Sequence, residues 1–340
     1  MIKTTADSTT AREMLKVIAA LIPGYIALSL IFGPGALIHA AIMIPVAMLA
    51  EATIIWMRSR SAVPAIKDLS APLTALLLAA ALPPLLPWWM AIVGILFAII
   101  IAKQLYGGLG QNPFNPAMVG YVILLVSFPL EMTSWLTPAG AIVGGDTIGF
   151  IQSAEIIFGT IENPSITIDG VTGATPLDAM KTALYQGLTI SEGIKEISNG
   201  VLAGSGWEII NLTFLIGGIY LIASRTISWH IPVSMLVALL IISALFNTVD
   251  PDRYSTPLYH LLSGGTMLGA FFIATDPVTA STTPRGRIWF GACIGILIYT
   301  IRSWGGYPDA VAFSVLLLNM FTPLIDHFTQ PKIYGERDNG

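Results

Sequence analysis

The chain has 340 residues, 54% hydrophobic and only 11% charged, with a mean hydropathy of +0.76. A soluble domain carries about 25% charged residues, so this chain lacks the charge to wet a globular surface. A net charge of −4 without a Lys/Arg run excludes nucleic-acid binding, and the apolar content excludes disorder. A single cysteine, Cys293, excludes an internal disulfide framework and a cysteine-ligated iron–sulfur cluster. The histidines His39, His230, His260 and His327 lie far apart and form no metal-ligand spacing, so no metal site is assigned. These properties describe an integral membrane protein.

A spanning helix needs roughly 20 mainly apolar residues. Reading between charges and Pro/Gly breaks gives ten candidate spans. The first five are Leu15–Phe32, Gly35–Trp56, Leu69–Leu86, Trp88–Ala102 and Ala117–Phe128. The second five are Ile209–Ser224, Ile231–Thr248, Leu258–Thr275, Ile288–Ile301 and Ala310–Ile325. No small-residue cleavage site follows the first span, so it reads as a retained helix and not a signal peptide. With a cytoplasmic N-terminus, 12 Lys/Arg fall inside and 4 outside. The inside set includes Arg58 and Lys103, and the outside set is Lys181, Lys195, Arg253 and Arg302. The positive-inside rule therefore puts both termini in the cytoplasm.

Three regions follow. Residues 1–128 form a first membrane repeat, 129–207 an extracytoplasmic loop that folds back on the membrane domain, and 208–340 a second repeat. The halves echo one another: Ile44-Pro-Val-Ala-Met-Leu49 recurs as Ile231-Pro-Val-Ser-Met-Leu236. Leu69-Ser70 recurs as Leu262-Ser263, and Lys103 before Gly107-Gly108 as Arg302 before Gly305-Gly306. An odd number of spans per copy sends the second copy in from the opposite side. The expected fold is all-α and polytopic, about ten spans in two inverted five-helix repeats.

Two segments interrupt apolar sequence with Gly, Pro and hydrogen-bonding side chains: Tyr106 to Pro116 and Ala274 to Ser281. Irregular backbone at membrane depth is tolerated only beside protein or a water-filled cavity. One reading makes both segments ordinary surface loops. The other makes Asn112, Asn115, Thr275 and Asp276 the lining of a cofactor or ion cavity. Glu51, Asp276, Arg302 and Asp309 are the ionisable groups within or beside spans. Glu51 lies about two helical turns from Arg58 and could reach interfacial water, and Arg302 could pair with Asp309.

The outer loop carries Asp169-Gly-Val-Thr-Gly-Ala-Thr-Pro-Leu-Asp178. Thr175 reads as a helix N-cap with Pro176 at N1 and Asp178 at N3, the helix continuing to about Tyr185. A bland reading stops at a well-capped loop helix. A sharper one notes that a phosphate on Thr175 would face free backbone N–H groups and the positive end of a helix dipole. Gly173 and Ala174 would let a bulky group approach the backbone.

The motif Asp169, Gly170, Thr172, Gly173, Ala174, Thr175 resembles the flavin-transfer acceptor, in which a dedicated flavin transferase esterifies an FMN phosphate to the final threonine. It is similar to that of the RnfD/NqrB family, membrane subunits of the Rnf and sodium-pumping NADH:quinone oxidoreductase complexes. Gly107 to Gly120 and Ala274 to Thr279 resemble the same family, so the likeness covers nearly the whole chain. Length and Thr-Pro-Leu-Asp at the acceptor look more like the RnfD branch. The resemblance implies covalent FMN on Thr175 and a non-covalent riboflavin in the membrane domain. It also implies other subunits of the Rnf complex as partners, in a bacterial inner-membrane machine. That machine moves electrons between ferredoxin and NAD and drives Na⁺ or H⁺ across the membrane. No catalytic residue is assigned, and the subunit is expected to be inactive alone. The rival reading is a self-contained inverted-repeat channel or transporter, which has no use for the acceptor motif.

Overall fold

The computed structural model describes residues 3–136, 138, 148–160, 172–197, 203–204, 206–307 and 309–331. Asp169 and Gly170 lie outside the described residues, as does much of 129–207. Every one of the ten apolar segments is helical.

The first half opens with α1 (Lys3–Phe32) and α2 (Gly35–Met57), followed by the short α3 (Val63–Lys67) and α4 (Ser70–Ala81). Then come α5 (Trp88–Leu96), which runs on as a π-helix over Phe97–Gln104, and α6 (Pro116–Ser127). Among the described residues, the stretch between the halves holds α7 (Pro129–Thr133), β1 (Trp135–Leu136), α8 (Phe150–Phe158) and β2 (Thr172–Gly173). Two further helices, α9 (Pro176–Tyr185) and α10 (Ile190–Ile197), complete it. The second half consists of α11 (Trp207–Ala223), α12 (His230–Val249), α13 (Pro257–Leu262) and α14 (Thr266–Leu268). A π-helix over Gly269–Ile273 extends α14, and α15 (Pro284–Trp304) and α16 (Val311–Thr329) finish the chain.

Among the described residues, four stretches are long and apolar enough to cross a membrane: Thr10–Phe32, Gly35–Met57, His230–Val249 and Val311–Thr329. Shorter apolar helices occupy Ser70–Ala81, Trp88–Gln104, Pro116–Ser127 and Trp207–Ala223. Their outward faces carry large apolar side chains, such as Leu30, Leu49, Ile216, Leu245 and Met320. So many exposed apolar groups would be untenable in water and suit a hydrocarbon solvent. Trp56, Trp229 and Trp289, all exposed, sit near helix ends, where indoles favour the membrane interface.

The expectation of a purely helical chain needs one small amendment. Strands β1 and β2 pair antiparallel, Trp135 opposite Gly173 and Leu136 opposite Thr172. The pairing ties the segment before Thr175 to the residues that follow α7.

One span is preceded by a break and another is interrupted by one, in a way the sequence did not announce. Between α3 and α4, Leu69 takes a left-handed φ of 61°, and Asp68 Oδ1 accepts from Ser70 N at 2.8 Å. Between α13 and α14, Gly264 takes φ 59°. Asn211 of α11 reaches across this second break, its Nδ2 donating to Leu262 O (2.8 Å) and Gly264 O (3.0 Å), and its Oδ1 accepting from Met267 N (3.1 Å). Backbone groups freed from a helix at membrane depth need such partners.

Candidate functional site

Four helices begin with the same chemistry: Asn115-Pro116, Thr175-Pro176, Thr256-Pro257 and Thr283-Pro284. In each, the side-chain oxygen accepts from the backbone N–H three residues on, and proline fills N1, where no donor is needed. At Thr175 that bond, from Asp178 N, is 3.3 Å. Capping therefore does not distinguish Thr175. Its surroundings do.

Thr175 borders a cavity between the helix it caps and the long apolar helices. The wall is apolar and aromatic, with Trp135, Trp207, Tyr121 and Phe214 among its residues. Phe32, Trp135 and Trp207 form an edge-on cluster with ring centroids 4.9–5.6 Å apart. Because Trp135 lies on β1 and Gly173 on β2, one strand pair positions both the aromatic wall and the segment leading to Thr175. Gly173 and Ala174 are exposed and Thr175 is half-buried, so the hydroxyl stands at the junction of an open approach and the cavity.

The helix bearing Thr175 is fixed to the membrane domain at two points. Tyr259 Oη donates to Pro176 O at 2.6 Å. Lys181 Nζ donates to Tyr307 O (3.1 Å) and Gly305 O, beyond the C-terminus of α15. Carbonyls left free at a helix end suit an ammonium donor. Burial is the main influence on Lys181 and Asp178: it lowers the amine's pKa and raises the carboxyl's, each opposed by the charge of the other.

A second cavity collects the four residues of the two interrupted segments: Asn112, Asn115, Thr275 and Asp276. Lys103 and Ser70 line it as well. Asn115 Nδ2 donates to Ile273 O at 3.3 Å, which joins the start of α6 to the end of the second π-helix. Asp276 accepts from Thr279 Oγ1 (3.0 Å) and Val278 N (3.3 Å). The Oδ1 of Asn112 is buried without a partner, the one orphaned acceptor among the four. This cavity shares no lining residue with the one at Thr175.

The intramembrane charges differ from expectation at Glu51. It does not reach water beside Arg58 but is 2% exposed, with Lys103 Nζ 2.6 Å and Gln104 Nε2 2.7 Å from its Oε1. Arg58 instead donates to the carbonyl of Gln104. Lys103 also donates to Ser70 Oγ at 2.6 Å, so the ammonium holds the break before α4. Arg302 and Asp309 do pair, at 3.1 Å. Arg302 further donates to His260 O (2.7 Å), Ser263 O (3.3 Å) and Thr266 Oγ1 (3.0 Å), across the break before α14. The charge count placed Lys103 on the inside and Arg302 on the outside, and both are buried. Sequence reading missed Asn211 and Gln104 altogether. Their types were the available signal: an amide inside an apolar helix demands a partner.

A model of the NQR2, RnfD, RnfE family matches residues 3–335. The chain belongs to this family. Over 335 residues it is 53% identical to the D subunit of the ion-translocating oxidoreductase complex of Yersinia pseudotuberculosis serotype O:1b, covering 96% of this chain and 95% of that one. It is 51% identical over 336 residues to the protein of the same name from Escherichia coli O81, again covering 96% and 95%. With family membership and several membrane-spanning helices, the chain is a multi-pass membrane protein of an Rnf-type oxidoreductase complex.

Proposed function

We propose that the chain is the flavin-carrying subunit of an ion-translocating ferredoxin:NAD oxidoreductase, with FMN esterified through its phosphate to Thr175. The observation that carries this is the position of the Thr175 hydroxyl, at the edge of an aromatic-walled cavity beside an exposed Gly173-Ala174 approach. An isoalloxazine ring is flat and largely apolar, and Trp135, Trp207 and Tyr121 are among the residues lining the cavity. The ester phosphate would sit at the N-terminus of α9, where backbone N–H groups and the helix dipole favour an anion. The group supplies electron-transfer chemistry. The chain supplies its position, a dry wall and the local field. The open approach to Thr175 suits modification by a flavin transferase.

A non-covalent riboflavin belongs, on this proposal, in the second cavity, where the orphaned Oδ1 of Asn112 awaits a donor. The ten helical segments form ten spans in two inverted repeats, 1–128 and 208–340, with residues 129–207 outside and both termini in the cytoplasm. The paired breaks support this: each half has a short helix, a left-handed residue and a buried cation at the corresponding place. The complex moves Na⁺ or H⁺ across the bacterial inner membrane, and this subunit alone turns over no NADH.

The decisive substitution is Thr175→Val, which keeps the volume and removes the hydroxyl. Expressed with the whole complex and its transferase, the variant should insert at full length and lose the flavin fluorescence that survives denaturing electrophoresis. Thr172→Ser should keep it. Fluorescence retained in Thr175→Val would place the acceptor elsewhere.

A further inference from the structure

The cavity at Thr175 is mainly apolar and carries a single charge. Among the described residues lining it, Asp309 is the only charged one. Its carboxylate is fixed from several directions: Oδ2 accepts from Gly265 N at 3.1 Å, and Oδ1 from Ala310 N (2.8 Å), Val311 N (3.4 Å) and Arg302 Nη2 (3.1 Å). The two partners of the ion pair are unequally sheltered, the Arg302 side chain being 1% exposed and that of Asp309 27%. The anion thus faces the cavity, while the guanidinium lies behind it, committed to the break before α14.

We propose that the Arg302–Asp309 pair sets the reduction potential of the flavin in this cavity, Asp309 lowering it and Arg302 limiting how far. This rests on Thr175 carrying that flavin. Reduction adds negative charge to the ring system without making or breaking a bond to the protein, the electron coming from a neighbouring redox centre of the complex. A carboxylate facing a low-dielectric cavity opposes that charge, and a guanidinium behind it offsets the opposition. A low potential suits an electron carrier that must work near ferredoxin and NAD.

The two members of the pair act with opposite sign, which a purely structural role would not produce. In the purified complex, a mediator titration of the flavin followed by absorbance should show Asp309→Asn easier to reduce. The expected change is about tenfold in the oxidised-to-reduced equilibrium, or about 59 mV for a one-electron couple. Arg302→Gln, which leaves Asp309 unopposed, should be harder to reduce. Asp309→Glu, retaining the charge, should stay close to the parent. If one neutral variant does not accumulate in the membrane, the sign seen in the other decides. A flavin that is present with unchanged potential, or both variants shifted the same way, overturns this inference. Absence of covalent flavin from the unsubstituted protein overturns the reading beneath it instead.

Discussion

The two breaks solve one problem by different means. At the first break an ammonium, Lys103, bridges Ser70 Oγ and Glu51, and the carboxylate is as deeply buried as the amine. At the second a guanidinium, Arg302, forks over two carbonyls, a hydroxyl and Asp309, and the carboxylate is left partly open. The point charge suits a break closed by one hydroxyl. The planar fork suits one where several acceptors must be served at fixed angles. The first arrangement seals its carboxylate within the fold, and the second turns it toward a cavity.

The largest effect should come from breaking the sealed pair. Lys103→Met leaves Glu51 buried without its cation, a loss on the order of 3–5 kcal/mol. The measurement is thermal unfolding of the detergent-solubilised complex. Adding Glu51→Gln should recover much of the loss, and failure to recover would mean that Lys103 matters for Ser70 alone.

The open break should be more sensitive to shape. A Cβ on Gly264 would lie 2.8 Å from Leu177 Cδ1, 3.0 Å from Asp309 Oδ2 and 3.1 Å from Arg302 Nη2, at a backbone angle costly for any side chain. Gly264→Ala should cost about 2 kcal/mol. Leu69 already bears a side chain at its left-handed position, so Leu69→Gly should relieve strain and stay within about 1 kcal/mol of the parent. Equal losses at the two sites would erase the contrast.

The smallest effect concerns pH and the outer helix that meets the second break. Burial raises the pKa of Asp178 in the folded protein, so folding favours its protonated form. Stability from this group is therefore present below the unfolded pKa and falls as pH rises through the raised value. Denaturation midpoints across the acidic range should show that slope, and Asp178→Asn should remove it. A slope unchanged in the variant would assign it to another group.

Much of this was readable from the chain. The apolar runs coincide with helix, because hydrocarbon solvent leaves backbone no alternative to internal hydrogen bonds. Thr175-Pro176 with Asp178 located a helix start to the residue, since capping is local chemistry. Gathering Asn112, Asn115, Thr275 and Asp276 around one cavity followed from the same rule about irregular backbone. The charges resisted reading. Glu51 is seven residues from Arg58 in sequence, yet its partner is Lys103, brought there by the packing of α5 and its π-helical extension on α2. Burial of Lys103 and Arg302 depends on breaks in other helices, and no property of their own neighbourhoods reports it.

The contact between Asn115 and Ile273 has a consequence for how the chain is made. A residue near the end of the first half completes its hydrogen bonding with a carbonyl synthesised 158 residues later. Closer to the start, α1 has a face shaped for α11: a Cβ at Gly217 would fall 2.1 Å from Ala20 O. The early helices therefore leave the ribosome with polar groups and a groove that only the late helices can satisfy. They must remain at the insertion machinery, or shelter one another provisionally, until the second half arrives. Truncation after the first half should yield a chain for membrane quality control to degrade, and translation rate through the second half becomes a determinant of yield.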